Sequence, residues 1–265
     1  MTNAAMGTAG RLSARHSARL QQSADVLQDE GTLRLLELPA LSLSSPVRST
    51  RVRIAVSADA KRAIAKIKSG SCGRGLFIDC GSNVGQGYSV FSRYYTEEYF
   101  DFIMIEPNKS CLPYLQALQA SSSANIEIIG KAASVREGFT TLFGPPSDRR
   151  QPTYERRSIV PEHNSSLYDA RDADSDVVET FSLSNLIMAK KALYDVVILK
   201  LDVDGSEYQI LFDMINTGAH RELYATYIEF HSFYMKRLER EIKVMAESNI
   251  RKTIESDGIL FREWI

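Results

Sequence analysis

The amino-acid sequence predicts an α/β fold, with a doubly wound and mainly parallel sheet that has helices on both faces. Two short apolar runs, Leu76–Cys80 and Val196–Leu201, have the length and composition of buried parallel strands. Each is followed by a glycine-containing turn and then by a segment of helical character. Strands and helices alternate in this way along the chain, and such folds bind ligands at the carboxyl ends of their strands.

The length of the chain is compatible with one large domain, or with one domain and an extension. The chain has 265 residues, of which 44% are hydrophobic, and its formal charge of −1 says little about partners. No apolar run approaches the length of a membrane span, and no signal-peptide core is visible. Cys72, Cys80 and Cys111 are an odd number without metal-site spacing, which favours a reduced protein, so we predict a cytoplasmic location.

Residues 1–45 are predicted to form a basic, flexible extension of a domain over residues 46–265. The first 75 residues contain 12 Lys or Arg against 5 Asp or Glu, whereas the remainder contains 20 against 28. Organelle targeting by residues 1–25 is a weaker alternative, and a nucleic-acid-binding arm is a third, although no aromatic residues are interleaved to stack on bases. Three arginines recur every four residues in the extension: Arg11, Arg15 and Arg19.

The first half of the domain is predicted to alternate strands and helices. Val52–Val56 alternates like a strand, and Ala58–Lys68 has apolar residues spaced as on one side of a helix. The strand at Leu76 follows, and glycines then separate it from the next helix. The remaining elements predicted here are helices over 83–95 and 108–121 and strands over 102–106, 125–130 and 139–143.

The second half begins with a long loop over 144–176 that contains four prolines and is predicted to be a substrate lid. The alternative is an insertion without a role. Ser182 is predicted to cap the helix that follows it. Strands are predicted over 177–181, 196–201, 225–231 and 259–265 and helices over 183–192, 206–214 and 234–248, with 250–256 continuing the last helix or forming a strand.

The turn after the first strand has the spacing Gly81-x-x-x-Gly85-x-Gly87, which differs from the G-x-G-x-x-G of pyrophosphate-binding turns. Asp79 at the strand end would repel a phosphate but suits a ligand with positive charge. S-adenosylmethionine (SAM) fits, because it has an ammonium and a sulfonium group and no phosphate. An ordinary turn without a ligand is the alternative.

A second acid strengthens the nucleoside interpretation. Glu106 ends the apolar run that begins at Phe102 and follows Gly85 by 21 residues. In doubly wound folds, an acid about 20 residues beyond the glycine turn accepts hydrogen bonds from a ribose diol. The alternative is a surface acid that caps the next helix, since Pro107 at a helix start suits both interpretations.

Four blocks of this sequence together resemble the FkbM family of SAM-dependent methyltransferases, from about residue 70 to 265. They are Phe-Ile-Asp-Cys-Gly-Ser-Asn-Val-Gly (77–85), Ile-Glu-Pro-Asn (105–108), Ile-Leu-Lys-Leu-Asp-Val-Asp-Gly-Ser-Glu (198–207) and Ile-Glu-Phe-His (228–231). The family's third block is close to Leu-Lys-Ile-Asp-Val-Glu-Gly-Ala-Glu, so Asp204 and Ser206 are mild departures. The resemblance implies a Rossmann-like class I methyltransferase fold and methyl transfer, usually to a hydroxyl of a glycan, polyketide or related metabolite.

The same resemblance implies a set of cofactor-binding residues. Asp79, Gly81 and Gly85 would hold the methionine part of SAM, and Glu106 would hold the ribose. Asn108 or the backbone at Lys131–Ala132 would lie near the adenine, and Asp202 would lie by the sulfonium and the acceptor. The complete predicted set is Asp79, Gly81, Ser82, Asn83, Gly85, Glu106, Asn108, Ala132 and Asp202.

A hydroxyl acceptor has to lose a proton, and Asp202 and His231 are the candidates for general base. A histidine that is only part of the core, and a carboxylate that only orders its turn, are the respective alternatives. A divalent metal held by Asp202, Asp204, Glu229 and His231 is a secondary possibility, but no tight ligand spacing supports it, so we predict a metal-free site. His163, in the long loop, is expected to be a solvated residue rather than a substrate contact.

Two other functions are compatible with these residues. One is a SAM-binding or nucleoside-binding protein that has lost its chemistry. The other is an RNA-modifying methyltransferase that uses the basic N-terminal arm, whose binding would weaken steeply with salt. We expect a small-molecule or glycan acceptor as the partner, and no nucleic acid.

Overall fold

A computed structural model of the chain describes residues 46–144, 157–161, 163, 174–234 and 237–264. The predicted N-terminal extension lies outside the described residues, as does most of the predicted lid. The domain boundary at residue 46 therefore remains a prediction. Within the described part of the chain, no helix combines the length and the apolar character that a membrane crossing requires.

The described residues form six helices and nine strands, with short 3₁₀ turns at Ala219–Glu222 and Ser232–Tyr234. The helices are α1 (Pro46–Lys68), α2 (Gln86–Phe91), α3 (Leu112–Ser121), α4 (Leu183–Lys191), α5 (Glu207–Thr217) and α6 (Arg237–Ser256). The strands are β1 (Gly75–Cys80), β2 (Phe100–Ile105), β3 (Ile126–Ile129), β4 (Ala132–Ser134), β5 (Gly138–Gly144), β6 (Asp174–Ser182), β7 (Val196–Leu201), β8 (Ala225–Ile228) and β9 (Leu260–Glu263).

The main sheet has six strands in the order β3-β2-β1-β7-β8-β9, and every neighbouring pair is parallel. The chain proceeds outward from β1 on one side and then returns to the other side of β1 with β7. This reversal is the topological switch point, where doubly wound sheets open a crevice at their strand ends. The predicted fold class, a doubly wound parallel α/β sheet, is confirmed.

Helices cover both faces of this sheet, and every residue of β1 and β7 is therefore buried. Leu76, Ile78 and Cys80 pack into the core under α4, α5 and α6. Phe77 points the other way, into a second core that includes residues of α1, α2 and α3. The alternation of β1 side chains between two cores explains why its sequence is an apolar run rather than a period-2 pattern.

A second sheet of three strands has the order β4-β6-β5, with β6 parallel to β4 and antiparallel to β5. The predicted strand over 139–143 is confirmed as β5. Strand β6 ends at Ser182, whose hydroxyl accepts a hydrogen bond from the Asn185 N–H at 3.2 Å. This confirms the predicted N-cap of α4, in which a side-chain oxygen satisfies a free N–H of the first turn.

The strand predicted over Val52–Val56 is wrong, because these residues belong to helix α1. Five alternating residues are too few to distinguish a strand from a turn of helix. On a strand, Ile54 and Val56 would share a face. In the helix, Ile54 is 65% exposed, whereas Val56 is buried with Ala60 and Ala63, four and seven residues further on.

Several other boundaries differ from the predictions by a few residues, and three of them affect the description of the site or the fold. Helix α2 is shorter than 83–95 because left-handed backbone at Asn83 (φ 50°) and Gly85 (φ 96°) delays its start to Gln86. Strand β8 ends at Ile228, so the last residues of the predicted strand 225–231 lie in the loop beyond it. Helix α6 extends to Ser256 and thereby includes the segment over 250–256 that was compatible with a helix or a strand.

Candidate active site

A cavity of about 330 Å³ opens at the carboxyl ends of β1, β2, β7 and β8, at the switch point of the sheet. Its volume is within the range of small-molecule sites. Most of the predicted site residues line it, namely Gly81, Asn83, Glu106, Ala132, Asp202 and His231. The predicted residues that do not line it are Asp79, Ser82, Gly85 and Asn108.

The turn after β1 requires glycine at position 81 because a side chain there would collide with the backbone that follows β7. Gly81 has a φ of 83°, and a Cβ at this position would lie 1.6 Å from the Asp202 carbonyl oxygen. The Asp202 N–H donates to the Cys80 carbonyl at 3.0 Å, which holds the two strand ends together. This close approach brings the backbone of both turns to the crevice.

Ser82 and Gly85 shape the turn beneath the crevice. The buried Ser82 hydroxyl donates to the Asp79 carbonyl at 2.7 Å and accepts from the Ile105 N–H at 3.1 Å. A Cβ on Gly85 would lie 2.7 Å from Leu118 of α3. Both residues therefore join β1, β2 and α3, and contribute to the site through the backbone they fix.

Glu106, directly after β2, has its carboxylate at the rim of the cavity. Its Oε2 accepts from the Asn83 N–H at 2.9 Å, and its Oε1 accepts from the Asn108 N–H at 2.8 Å. Burial raises the pKa of Glu106 to about 7, against the effect of these two hydrogen bonds. Asn108 itself is buried and holds the loop through its side chain, which accepts from the Ser110 N–H at 3.1 Å.

Asp79 is beneath the turn rather than in the crevice, with 1% of its surface exposed. A Cβ on Gly87 would lie 2.5 Å from Asp79 Oδ2, so glycine there makes room for the carboxylate. Burial raises the pKa of Asp79, and the nearby Lys200 ammonium opposes that rise. Its negative charge is thus matched by a lysine of the protein, and no part of it faces the cavity.

Lys200, in β7, is a site residue that the sequence analysis missed. Its Nζ lies 3.2 Å from Asp79 Oδ1 and 3.1 Å from Asp202 Oδ2, and donates to the Gly81 carbonyl at 2.8 Å. Burial would lower the pKa of Lys200, but the two carboxylates raise it well above its ordinary value. The available signal was a single ionisable residue within the otherwise apolar run of β7.

His231, three residues past β8, is fixed by a buried carboxylate on α5. Its Nδ1 donates to Oε1 of Glu207 at 2.9 Å, and the Glu207 carboxylate also accepts from the N–H groups of Val203 and Gly205. Burial would lower the pKa of His231, but Glu207, Asp204 and Asp202 raise it well above 6.5. The carboxylate leaves Nε2 as the ring nitrogen that faces the cavity.

Three further carboxylates surround that nitrogen. Oδ1 of Asp202 and Oδ1 of Asp204 each lie 3.7 Å from His231 Nε2, and Oε1 of Glu229 lies 3.9 Å from it. Burial raises the pKa of Asp204 to about 8 and that of Glu229 to about 7, and Asp202 adds to both shifts. The Asp204 side chain is 27% exposed, so burial is not the whole cause of its raised pKa, and the neighbouring acids contribute to it.

The expectation that His163 is a solvated loop residue is wrong. Its side chain is 1% exposed, and its ring centroid lies 5.3 Å from that of His231. Burial, with the charge of His231, lowers the pKa of His163 to about 3. The segment between β5 and β6 therefore brings a neutral histidine to the acidic side of the crevice.

Comparison with known protein families identifies the fold that holds this crevice. The methyltransferase FkbM domain matches residues 79–256, more than half of the chain. The chain belongs to the FkbM methyltransferase family. The resemblance carried by the four sequence blocks is thereby confirmed, and the structure places all four at the carboxyl ends of β1, β2, β7 and β8.

One solved structure is similar to this FkbM methyltransferase chain. It is the methyltransferase FkbM from Methylobacillus flagellatus KT, at 17% identity and a TM-score of 0.34, over 56% of this chain. The chain spans 30% of the length of that protein. Comparison with curated protein sequences finds no match.

The crevice has two unequal sides. Asn83, Glu106 and Ala132 line it on the side of β1, β2 and β4. The acids around His231 form the other, at β7 and β8.

Proposed function

We propose that this FkbM methyltransferase uses SAM to methylate a hydroxyl group of a glycan, a polyketide or a related small metabolite. The observation that carries the proposal is the position of Glu106. Its carboxylate lines the crevice at the switch point, directly after β2, where a doubly wound fold holds a ribose diol.

The charge around the cavity favours SAM over a phosphate-bearing dinucleotide. Asp202, Asp204 and Glu229 line it together. Of the described lysine and arginine side chains that also line it, Lys200 is already shared between Asp202 and Asp79, and Arg157 is paired with Asp176 at 2.8 Å. An excess of carboxylates attracts a cation and repels a pyrophosphate. SAM, when bound, supplies an electrophilic methyl group on a positively charged sulfur.

The donor side would then be held by residues after β1 and β2. Each Glu106 oxygen accepts one backbone N–H and retains a further lone pair, so the carboxylate can accept two hydroxyl donors from a ribose. Ala132 lines the cavity with a small apolar side chain that suits an adenine ring. Asp79 would act indirectly in this proposal, by neutralising Lys200 beneath the turn.

The acceptor side would be formed by Asp202 and His231, the two residues predicted to handle the proton. We assign proton acceptance to Asp202, since its Oδ2 is paired with Lys200 while its Oδ1 faces the cavity and His231. The resting imidazole of His231 already holds a proton because its pKa is raised. His231 would instead orient the acceptor oxygen through Nε2. Holding oxygen, methyl carbon and sulfur in line can supply much of the rate.

Calorimetric titration with SAM, S-adenosylhomocysteine and NAD tests the proposal. We expect both SAM compounds to bind and NAD to give no heat, because the turn lacks the pyrophosphate spacing and the crevice is acidic. Binding of NAD without a response to either SAM compound would overturn the proposed function.

A further inference from the structure

The side chain of His163 packs against His231 and Tyr234, which line the crevice, and has no hydrogen-bond partner among the described residues. It is 1% exposed, and neither ring nitrogen makes a hydrogen bond to any of the described residues. Buried polar groups are nearly always paired, since leaving them unpaired costs free energy. Nε2 of His163 lies 3.9 Å from Oδ1 of Asp204, beyond hydrogen-bond distance but directed at that carboxylate.

The backbone holds His163 in this position. Ser158 pairs with Phe143 at the end of β5 through two backbone hydrogen bonds of 2.8 and 2.9 Å, and its hydroxyl donates to the Asp204 carbonyl. The His163 N–H then donates to the Val160 carbonyl at 3.1 Å. The short segment that carries His163 is thus joined to the turn that carries Asp204.

His231 has the arrangement of a metal-binding histidine. Its Nδ1 donates to the buried carboxylate of Glu207, which fixes the tautomer and leaves Nε2 with a lone pair once the ring is neutral. Metal-binding histidines nearly always donate their other N–H to a carboxylate or a carbonyl in this way. Nε2 lies 3.7 Å from Oδ1 of Asp204, again too far for a hydrogen bond.

These separations are those of ligands that share one ion. Two atoms each about 2.1 Å from a metal ion lie roughly 3–4 Å apart. One nitrogen from each histidine and one oxygen of Asp204 all lie within 4.8 Å of one another. We propose that His163, Asp204 and His231 bind a divalent transition-metal ion.

The chemistry of the ligand residues indicates which metal ion would bind, and the charges around them indicate which carboxylate would hold it. Two imidazoles and one carboxylate suit Zn²⁺, Mn²⁺ or Fe²⁺, whereas Mg²⁺ prefers oxygen ligands. Asp202 also lies near His231, but Lys200 already neutralises it. Among the described residues, Asp204 has His231 as a partner of opposite charge and the neutral His163 beside it, and an ion would match its charge better than either.

The role of the ion rests on the proposed function. Three protein ligands leave positions open for an acceptor hydroxyl, whose pKa falls when its oxygen binds a metal ion. Asp202 would then receive the proton, and His231 would orient the acceptor oxygen through the ion instead of by direct contact with Nε2. That oxygen would attack the methyl carbon while sulfur leaves with the bonding electrons. This assignment replaces the metal-free site expected from the sequence, because no local pattern around His163 indicates that it lies close to His231.

Metal binding can be tested without SAM or an acceptor. Chelator-treated full-length protein is dialysed against Zn²⁺, the bound metal is measured by mass spectrometry, and Co²⁺ is added separately to record its visible absorption. We expect one site per chain that involves His163, and Co²⁺ bands typical of mixed nitrogen and oxygen ligands. His163→Ala and Asp204→Asn should each weaken binding by about a hundredfold or more, and Glu207→Gln by roughly 10–100-fold.

His220→Ala is the matched control, since His220 is a buried histidine whose Nε2 is already paired with Asp257 at 2.6 Å. It should leave Zn²⁺ affinity unchanged. Equal Zn²⁺ affinity in the wild type and in His163→Ala, with both folded by circular dichroism, would overturn the site, as would Mg²⁺ binding in place of Zn²⁺. If the metal test failed in this way, binding of S-adenosylhomocysteine by the same protein would show that only this inference, and not the proposed function, had failed.

Discussion

Oε1 of Glu207 lies 2.9 Å from Nδ1 of His231, although helix α5, a 3₁₀ turn and strand β8 separate the two residues along the chain. Glu207 is fully buried at the start of α5, and His231 follows β8. The contact fixes which ring nitrogen of His231 faces the crevice. It therefore links the position of a helix to the protonation of the group that faces the acceptor.

Glu207→Gln should lower the pKa of His231. The carboxylate is the main group that raises this pKa, and its removal leaves burial, which acts in the opposite direction. An NMR titration of the histidine ring signals measures the change. Glu247→Gln is the control, because Glu247 accepts a hydrogen bond from Tyr208 and does not contact the imidazole. An unchanged His231 pKa in a folded Glu207→Gln protein would contradict this prediction.

The stability of the protein should fall as pH rises from 6.5 to 8. Folding raises the pKa of His231 above 6.5, that of Asp204 from 3.8 to about 8 and that of Glu229 from 4.5 to about 7. The folded chain thus binds more protons in this window, so its stability decreases with pH. His231 contributes fully below pH 6.5, and its contribution is lost as pH passes its raised pKa. The depressed pKa of His163 acts in the opposite direction, and this effect fades as pH rises above 6.5.

Asp204→Asn should make that pH dependence shallower by up to about 1.4 kcal/mol per pH unit, the effect of one proton. Asn tolerates the left-handed backbone at this position, where φ is 50°. Urea unfolding at several pH values between 6.5 and 8 gives the slope. Glu255→Gln, at an exposed position on α6, should retain the wild-type slope. A slope that is the same in all three proteins would refute the assignment of a raised pKa to Asp204.

Lys200→Met should destabilise the fold by about 3–5 kcal/mol, because it leaves the buried Asp79 without a counter-charge. The matched control is Lys190→Met, which breaks the partly exposed pair with Glu127 and should cost under about 1 kcal/mol. Denaturant unfolding measures both. Asp79→Asn added to Lys200→Met should recover part of the loss, and failure to recover any would argue against the ion pair as the cause.

Gly81→Ala and Gly258→Ala separate backbone strain from lack of space. The two glycines have nearly the same φ, 83° and 82°, but a Cβ on Gly81 meets the Asp202 carbonyl at 1.6 Å and one on Gly258 meets nothing within 4 Å. Gly258→Ala should cost about 1–2 kcal/mol from the left-handed conformation alone. Gly81→Ala should cost more than about 4 kcal/mol and abolish ligand binding. Equal unfolding free energies for the two variants would show that β1 and β7 can separate without loss.

Glu106→Ala should weaken binding of S-adenosylhomocysteine by about 10–100-fold, since hydrogen bonds to a charged group contribute roughly 1.5–3 kcal/mol. Calorimetry of the folded variant measures the loss. Glu127→Ala, on the solvent side of β3, should bind as the wild type does. If both variants kept the wild-type dissociation constant, Glu106 would serve only to bind the backbone of Asn83 and Asn108.

Most of the sheet could be predicted because its strands are buried on both faces. Such strands are apolar runs with acids at their ends, and Leu76–Cys80 and Val196–Leu201 were recognised on that basis. Val52–Val56 was mistaken for a strand because a short alternating run has no unique period. A single turn of amphipathic helix and a short strand cannot be separated until the buried face is known.

The missed site residues depend on pairings that are distant in sequence. Lys200 meets Asp79 because the β1–β7 register places the two residues opposite each other, and nothing local to either strand reveals that register. His163 meets His231 because Ser158 binds both Phe143 and the Asp204 carbonyl. Local patterns predict strands and turns, whereas these contacts arise only when distant segments pack.

The most direct test of the central claim is turnover with SAM that carries a trideuterated methyl group. The wild-type protein is incubated with fractions of small metabolites and glycans, and products are analysed by mass spectrometry. We predict a product with one labelled methyl on a hydroxyl oxygen, and none from Asp202→Asn that still binds S-adenosylhomocysteine. Binding of S-adenosylhomocysteine without a labelled product in any fraction, or label found only on RNA, would contradict the assignment of this protein as a small-molecule or glycan O-methyltransferase.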